Sequence, residues 1–349
     1  MRVQSALSVL DSFFVVKSKK GGKVLNSIFK HTENNGEVII TGLQEGLATT
    51  SIVIPETIDG MPVIEIGPKA FQSTSITNIK IGENIKGIGE KAFYMCKKLK
   101  SVTWNHKCDV VPAFCFSECS NLTKFDFSNV KKIGLYAFYK SGLQEVCLQK
   151  NIEILEDGTF SRCNELRSVT WNCTCDVIPN FCFAVCSNLT NFDFSGIKKI
   201  GKYAFKESGL QEVWLSESIK NIEEGTFKEC SGLRSVTWNC TCDVIPALCF
   251  AVCSNLTQFD LSGIKKVGTS AFEKSGLTSV TLSKGTIVCK KCFVHCKSLA
   301  KVEWLSARNI EGNIFAGCKN IKEIYISDKV KNIEANAFVS SPNAEITFV

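Results

Sequence analysis

Histidine is almost missing from this 349-residue chain, which has three, at 31, 106 and 295. None stands beside a recurrent serine, cysteine or carboxylate, so the sequence offers no nucleophile with a base and an orienting group. A phosphate-cradling glycine loop is also lacking, since Gly21-Gly22 has no strand before it and no helix after it. Carboxylate pairs such as Glu223-Glu224 read as solvated loop charges. Catalysis is therefore not expected, nor is a cofactor. No apolar stretch reaches the roughly 18 residues that a membrane-spanning helix needs. No Pro-, Gly- or Ser-rich linker divides the chain either, although its length exceeds that of a typical single core. The only segment resembling a targeting signal, Ala6 to Val16 after Arg2, is interrupted by Asp11. Lys17, Lys19 and Lys20 follow it where small cleavage-site residues would be required, so a secretory signal is not expected.

What the chain has in abundance is phenylalanine (24) and cysteine (19). Phe recurs at 71, 93, 116, 138, 160, 183, 205, 227, 250, 272, 293, 315 and 338, in steps of 21 to 23 residues. A fixed period of this size marks a solenoid, whose units bury their apolar faces only by stacking on one another. Each unit also carries a Val-x-Leu segment, an aliphatic pair, Ala-Phe, and then Cys or Ser-Gly before the next Leu. In Leu210 to Leu233 the period-two alternation puts Val213 and Leu215 on one side and Glu212, Trp214 and Ser216 on the other. One short strand per unit predicts a parallel sheet with rungs about 4.8 Å apart. The rest of each unit would return as turns or short helical pieces.

A longer period lies over the short one. Trp104 to Thr123, Trp171 to Thr190 and Trp238 to Thr257 are near copies 67 residues apart, so three units form a super-repeat within about 93–293. The third unit of each triplet has Ser-Gly (Ser141-Gly142, Ser208-Gly209, Ser275-Gly276) in place of Cys-x-x. Net charge is +7. The lysine pairs 131/132, 198/199 and 265/266 recur with the triplet and read as a solvated ridge, and with no recognition motif beside them nucleic acid is not an expected partner.

Residues 52–71, IVIPETIDGMPVIEIGPKAF, resemble the opening unit of the BspA-like leucine-rich repeat family, and the pattern continues through 88–99, 133–138, 200–205 and 333–338. The resemblance implies a right-handed, curved leucine-rich repeat solenoid, an α/β repeat architecture of about 13 units, with a parallel β-sheet on one face. It would occupy 38–349 as a single domain after a lead-in at 1–37. It further implies a cell-surface or secreted protein with adhesive, protein-binding roles. A cytoplasmic location is the alternative, because a clear signal sequence and anchor are not evident.

The cysteines mostly fall into this pattern. Cys96, Cys119, Cys163, Cys186, Cys230, Cys253, Cys296 and Cys318 lie three residues after a Phe, the family's own Cys position. Cys115, Cys182, Cys249 and Cys292 replace the Ala before the Phe, Cys108, Cys175 and Cys242 replace an Ile, and Cys289 aligns with Gly89. All sixteen are expected to be buried thiols, because free Cys behaves as a small hydrophobe. Neighbouring rungs bring some of them within disulfide range, but parallel Cβ vectors oppose the torsion a disulfide needs. Cys173-Thr-Cys175 and Cys240-Thr-Cys242 are too far apart to share a zinc ion. The compact set Cys289, Cys292, His295 and Cys296 is already explained by the repeat, so no metal is expected. Cys147, Cys173 and Cys240 remain as the thiols expected to react.

The candidate ligand-binding face is the outward column of the sheet: Thr103, Asp126, Thr170, Asp193, Trp214, Thr237, Asp260, Thr281, Glu303 and Tyr325, with Lys80 and Cys147 in the same column. It reads as a continuous, mostly uncharged strip for a protein or glycan ligand, with Trp214 and Tyr325 as its anchors. Five Asn-x-Ser/Thr sites, at Asn121, Asn172, Asn188, Asn239 and Asn255, would carry glycans if the chain were secreted. An intracellular interaction scaffold is the second reading, and a metal-binding or thiol-redox protein the third.

Overall fold

The computed structural model describes residues 28–46, 50–104 and 107–349, so the segment Ala6 to Val16, Gly21-Gly22 and His106 lie outside the described residues. Its units stack into a parallel β-solenoid. A turn contributes up to two strands and one tight-turn segment, so the coil has three sides rather than two.

The first side holds the Val-x-Leu strands. Ser51–Val53, Asn78–Lys80 and Ser101–Thr103 pair in parallel. Glu145–Leu148 pairs with Ser168–Trp171, and Glu212–Leu215 with Ser235–Trp238. Ser279–Leu282, Lys301–Trp304, Glu323–Ile326 and Glu345–Phe348 form the last group. The second side carries two-residue strands from the aliphatic pair, in threes: Val110–Val111, Lys132–Ile133 and Ile154–Leu155; Val177–Ile178, Lys199–Ile200 and Asn221–Ile222; Val244–Ile245, Lys266–Val267 and Ile287–Val288. Both sides thus follow the triplet seen in the sequence.

The third side is where the recurrent Phe lies. From Phe71 to Phe338 the thirteen rings form one unbroken stack, with successive centroids 5.1 to 5.9 Å apart. Offset stacking of this kind adds about 0.5–1.5 kcal/mol per pair to the burial itself. The backbone around each Phe is turned. From Phe71 to Phe315, the residues two before and two after the Phe have positive φ, for example Lys91 and Met95 (both 59°), Tyr203 (54°) and Glu207 (56°). From Phe71 to Phe272 this places three N–H donors per turn along the stack. Tyr203 donates to Glu224 O (3.0 Å), Phe205 to Thr226 O (2.9 Å) and Glu207 to Lys228 O (2.8 Å). Non-glycine residues at positive φ are uncommon, and here the inter-turn ladder holds them. The return segments are therefore turns, and the short helical pieces allowed by the sequence do not form among the described residues.

The cysteine three residues after each Phe closes the unit. Its thiol donates to the carbonyl of the Phe one turn earlier, as in Cys96 to Phe71 O (2.9 Å), Cys186 to Phe160 O (3.2 Å) and Cys318 to Phe293 O (3.0 Å). Where the triplet replaces that cysteine by serine, Ser141, Ser208 and Ser275 place Oγ 3.3 to 3.4 Å from the sulfur of the next turn's Cys. The polar column stays satisfied through the substitution. Burial pushes the Cys163 and Cys230 thiols up to about 12, against the smaller opposing effect of the serine bond.

At the N-terminal end Phe29–Asn34 folds back antiparallel on Glu37–Leu43, which in turn pairs in parallel with Met61–Ile66. The Asn35-Gly36 hairpin turn has positive φ at both residues (51° and 76°), as a two-residue type I′ turn requires.

Candidate binding face

The outward strand residues do not make one continuous strip. The expected column is cut at every third turn, where 124–127, 191–194 and 258–261 carry no strand pairing. The cause lies in the aspartates themselves. Asp126, Asp193 and Asp260 each turn the side chain back to accept the N–H two residues on, from Ser128 (2.9 Å), Ser195 (2.9 Å) and Ser262 (2.8 Å). Such local bonds compete with the extended ladder. Beneath them Phe125 packs on Phe127, and Phe192 on Phe194, with centroids 4.9 Å apart in both cases.

The ten candidate residues therefore fall into groups. Thr103 sits on the first group of strands beside Lys80, and Thr170 pairs with Cys147. Trp214 pairs with Thr237. Thr281, Glu303 and Tyr325 stand side by side on the last group. Asp126, Asp193 and Asp260 mark the gaps between groups.

At the last gap the face opens into a notch of about 530 Å³. Its walls include Arg234, Ser235, Gln258, Asp260, Ser279 and Thr281, so its lining is rich in hydroxyl, amide and charged groups. The strand following each gap offers Cys147, Trp214 or Thr281 at the same position, so three near-identical copies differ there. Trp214 is 54% exposed, which makes it the most accessible large aromatic of the column. Tyr325 is less free than the sequence suggests. The Lys301 ammonium lies 5.0 Å from its ring centroid and also binds Glu303 at 2.7 Å. That lysine, with Thr281 Oγ1 at 2.9 Å, holds the Glu303 carboxyl below its usual range.

A second exposed column escaped the sequence reading. Val110, Ile154, Val177, Val244 and Ile287 all point outward on the two-residue strands, 39% to 48% exposed. Period-two alternation in Val-Ile and Ile-Leu pairs was the available signal, but pairs this short do not declare which member faces out. Five of the six lysines of the recurrent pairs, which lie beside them, are ion-paired: Lys131 with Asp109 (3.1 Å), Lys198 with Asp176 (2.8 Å), Lys265 with Asp243 (2.9 Å), and Lys132 and Lys199 with Glu156 and Glu223 (both 2.7 Å).

All nineteen thiols are free. Thirteen are buried; Cys147 is exposed, and Cys173 and Cys240 are half-buried. Cys175, Cys242 and Cys289, expected in the core, are also half-buried. The Cys175 and Cys242 loops lie at the breaks of the two-residue strands, just before Val177–Ile178 and Val244–Ile245, which do not pair with the strand of the preceding turn. His295 leans over Gly317 of the next turn, close enough that a Cβ there would meet its Nδ1. No group of three metal-capable side chains occurs among the described residues.

The stacked parallel turns, the two strand ladders and the displayed face define a repeat protein of the leucine-rich type. The model of the BspA type leucine rich repeat region matches in six copies over residues 45–167, 176–300 and 286–349. The chain belongs to that family. Among solved structures it is similar to a leucine-rich repeat protein from Bacteroides ovatus, with 23% identity, a TM-score of 0.61, and 92% of this chain and 98% of that one covered. It is similar to the pneumococcal vaccine antigen PcpA at 16% identity and TM-score 0.59, covering 94% and 93%. A leucine rich cell surface protein from Faecalibacterium prausnitzii follows at 20% identity and TM-score 0.55, covering 95% and 96%. No curated protein matches the chain. Among the described residues no helix is long and apolar enough to cross a membrane.

Proposed function

We propose that this chain is a non-enzymatic binding protein of the cell surface or secreted space, and that it holds a protein or glycan on the interrupted sheet face. The observation that carries the reading is the notch at Asp260, a polar recess in the displayed face. Trp214, at the equivalent strand one super-repeat earlier, is the aromatic anchor, since large exposed aromatics are the commonest energetic centres of interfaces. Thr103, Thr170, Thr237, Thr281 and Glu303 serve as surrounding polar contacts, and Asp126, Asp193 and Asp260 shape the recesses. Two of the similar structures carry names that favour display outside the cell, a cell surface protein and a vaccine antigen. The second reading, an intracellular scaffold using the same face, is favoured by cysteines that work as reduced core donors to the Phe carbonyls.

The test is binding of wild type and Trp214→Ala to arrays of extracellular-matrix proteins and of glycans. The variant is expected to lose at least about thirtyfold in affinity, as hot-spot truncation does, with an unchanged melting temperature. Equal binding by both would move the site off this face. Brief protease treatment of intact source cells, with lysed cells as control, separates the two locations: peptides released from intact cells support surface display, and release only after lysis supports the scaffold.

A further inference from the structure

The loops that join the two strand sides in the second and third super-repeats hold a feature that neither fold nor binding face requires. In each, two thiols lie two residues apart in one tight loop closed by a tryptophan: Cys173 with Cys175, and Cys240 with Cys242. Both members of each pair are half-buried, unlike the column behind the Phe stack. The loops are pinned from within. Trp171 Nε1 donates to Cys175 O and Trp238 Nε1 to Cys242 O, both at 2.8 Å, while Thr174 Oγ1 donates to Ile152 O at 3.1 Å. Only a weak contact, 3.6 and 3.7 Å, ties the Cys175 and Cys242 sulfurs to the carbonyls of Ile152 and Ile219. Cys175 also opens onto a cleft of about 380 Å³ with Asp157, Asn180 and Lys199 on its walls, which gives a small molecule access.

The first super-repeat supplies an internal control. There Trp104 Nε1 donates to Cys108 O at 2.7 Å, so the loop is anchored in the same way. Its sequence has His106 where the other copies have Cys173 and Cys240. The remaining thiol, Cys108, is buried and bonds Ile85 O at 3.2 Å. Cys108, with no second thiol two residues away, is buried, whereas Cys175 and Cys242 are half-buried.

We propose that Cys173–Cys175 and Cys240–Cys242 are reversible dithiol–disulfide sites, oxidised by thiol–disulfide exchange with a small-molecule disulfide. The bond donated by Cys175 favours the thiolate at Cys173, so Cys173 is the attacking sulfur. Cys173 thiolate displaces one sulfur of the small disulfide. That S–S bond breaks, and the leaving thiolate carries away the electron pair and takes a proton from water. Cys175 then gives its proton to solvent and attacks the Cys173 sulfur of the mixed disulfide. The 173–175 bond closes and the second small thiolate leaves. Two protein thiols are oxidised by two electrons, and one small disulfide is reduced to two thiols. Cys240 and Cys242 follow the same course. The buried Cys182, Cys186 and Cys249 do not compete, because desolvation raises them well away from the thiolate form.

The test uses the native full-length chain and oxidised glutathione, followed by alkylation, digestion and mass spectrometry. The expected result is loss of two hydrogens within 173–175 and within 240–242, escape of both pairs from alkylation, and recovery of both on adding dithiothreitol. Cys173→Ser is expected to abolish closure in its own loop, leave 240–242 closing as before, and leave the melting temperature unchanged. Pairs that stay alkylated as free thiols would overturn the proposal. So would glutathione adducts that persist on Cys173 without loss to Cys175.

Discussion

The turn side and the sheet side of this solenoid obey different rules. On the turn side thirteen Phe rings stack without a gap, and through Phe272 three N–H donors per turn run into the next turn. On the sheet side the strand pairing stops at every third turn, although apolar residues continue inward there. The lesson is that continuity of the solenoid belongs to the turns. The strands are then free to be interrupted, and at the last interruption the displayed face opens into a notch. In a one-dimensional stack each unit depends on its neighbours, so an unbroken spine on one side suffices to carry the gaps on the other.

Replacing a spine ring should have the largest effect. Phe205→Ala removes a fully buried ring stacked between Phe183 and Phe227 and is expected to cost about 3–5 kcal/mol. Calorimetry should show it splitting or broadening the transition. Phe192→Ala, at a gap and only half-buried, should cost clearly less, and equal costs would erase the distinction between the sides.

Next is Gly158, which has positive φ and lies under the Tyr136 ring of the preceding turn, so that a Cβ would meet the ring carbons. Gly158→Ala adds the left-handed penalty of about 1–2 kcal/mol to displacement of the ring. In a Tyr136→Ala background only the first part should remain, which chemical denaturation of the two pairs measures. The smallest stability effect is expected at Trp214. Its truncation should stay within about 0.5 kcal/mol while removing binding, because the ring rests on the displayed face.

Much of this was legible beforehand. The Phe period, the triplet and the role of most cysteines followed from spacing, because each unit repeats the same inward positions. The gaps did not. Asp126, Asp193 and Asp260 were visible as outward residues, but a carboxylate that displays itself and one that caps its own backbone have the same one-letter pattern. Nor did spacing reveal that Met95, Val185 and Val252 would adopt positive φ, since that conformation comes from the inter-turn ladder and runs against their own preferences. The Asn35-Gly36 hairpin carried a turn signal that the strong repeat behind it overshadowed. Cys175 and Cys242 were placed in the core by alignment with Ile152 and Ile219, yet both are half-buried.

Amide hydrogen exchange resolved along the chain tests the difference between the two sides most directly. Slow exchange is predicted at Phe183, Tyr203, Phe205 and Phe250, whose N–H groups all enter the next turn, with much faster exchange at 191–194 and 258–261 than in Glu212–Leu215 or Ser235–Trp238. Protection of 191–194 equal to that of the paired strands would show a continuous sheet and contradict the account.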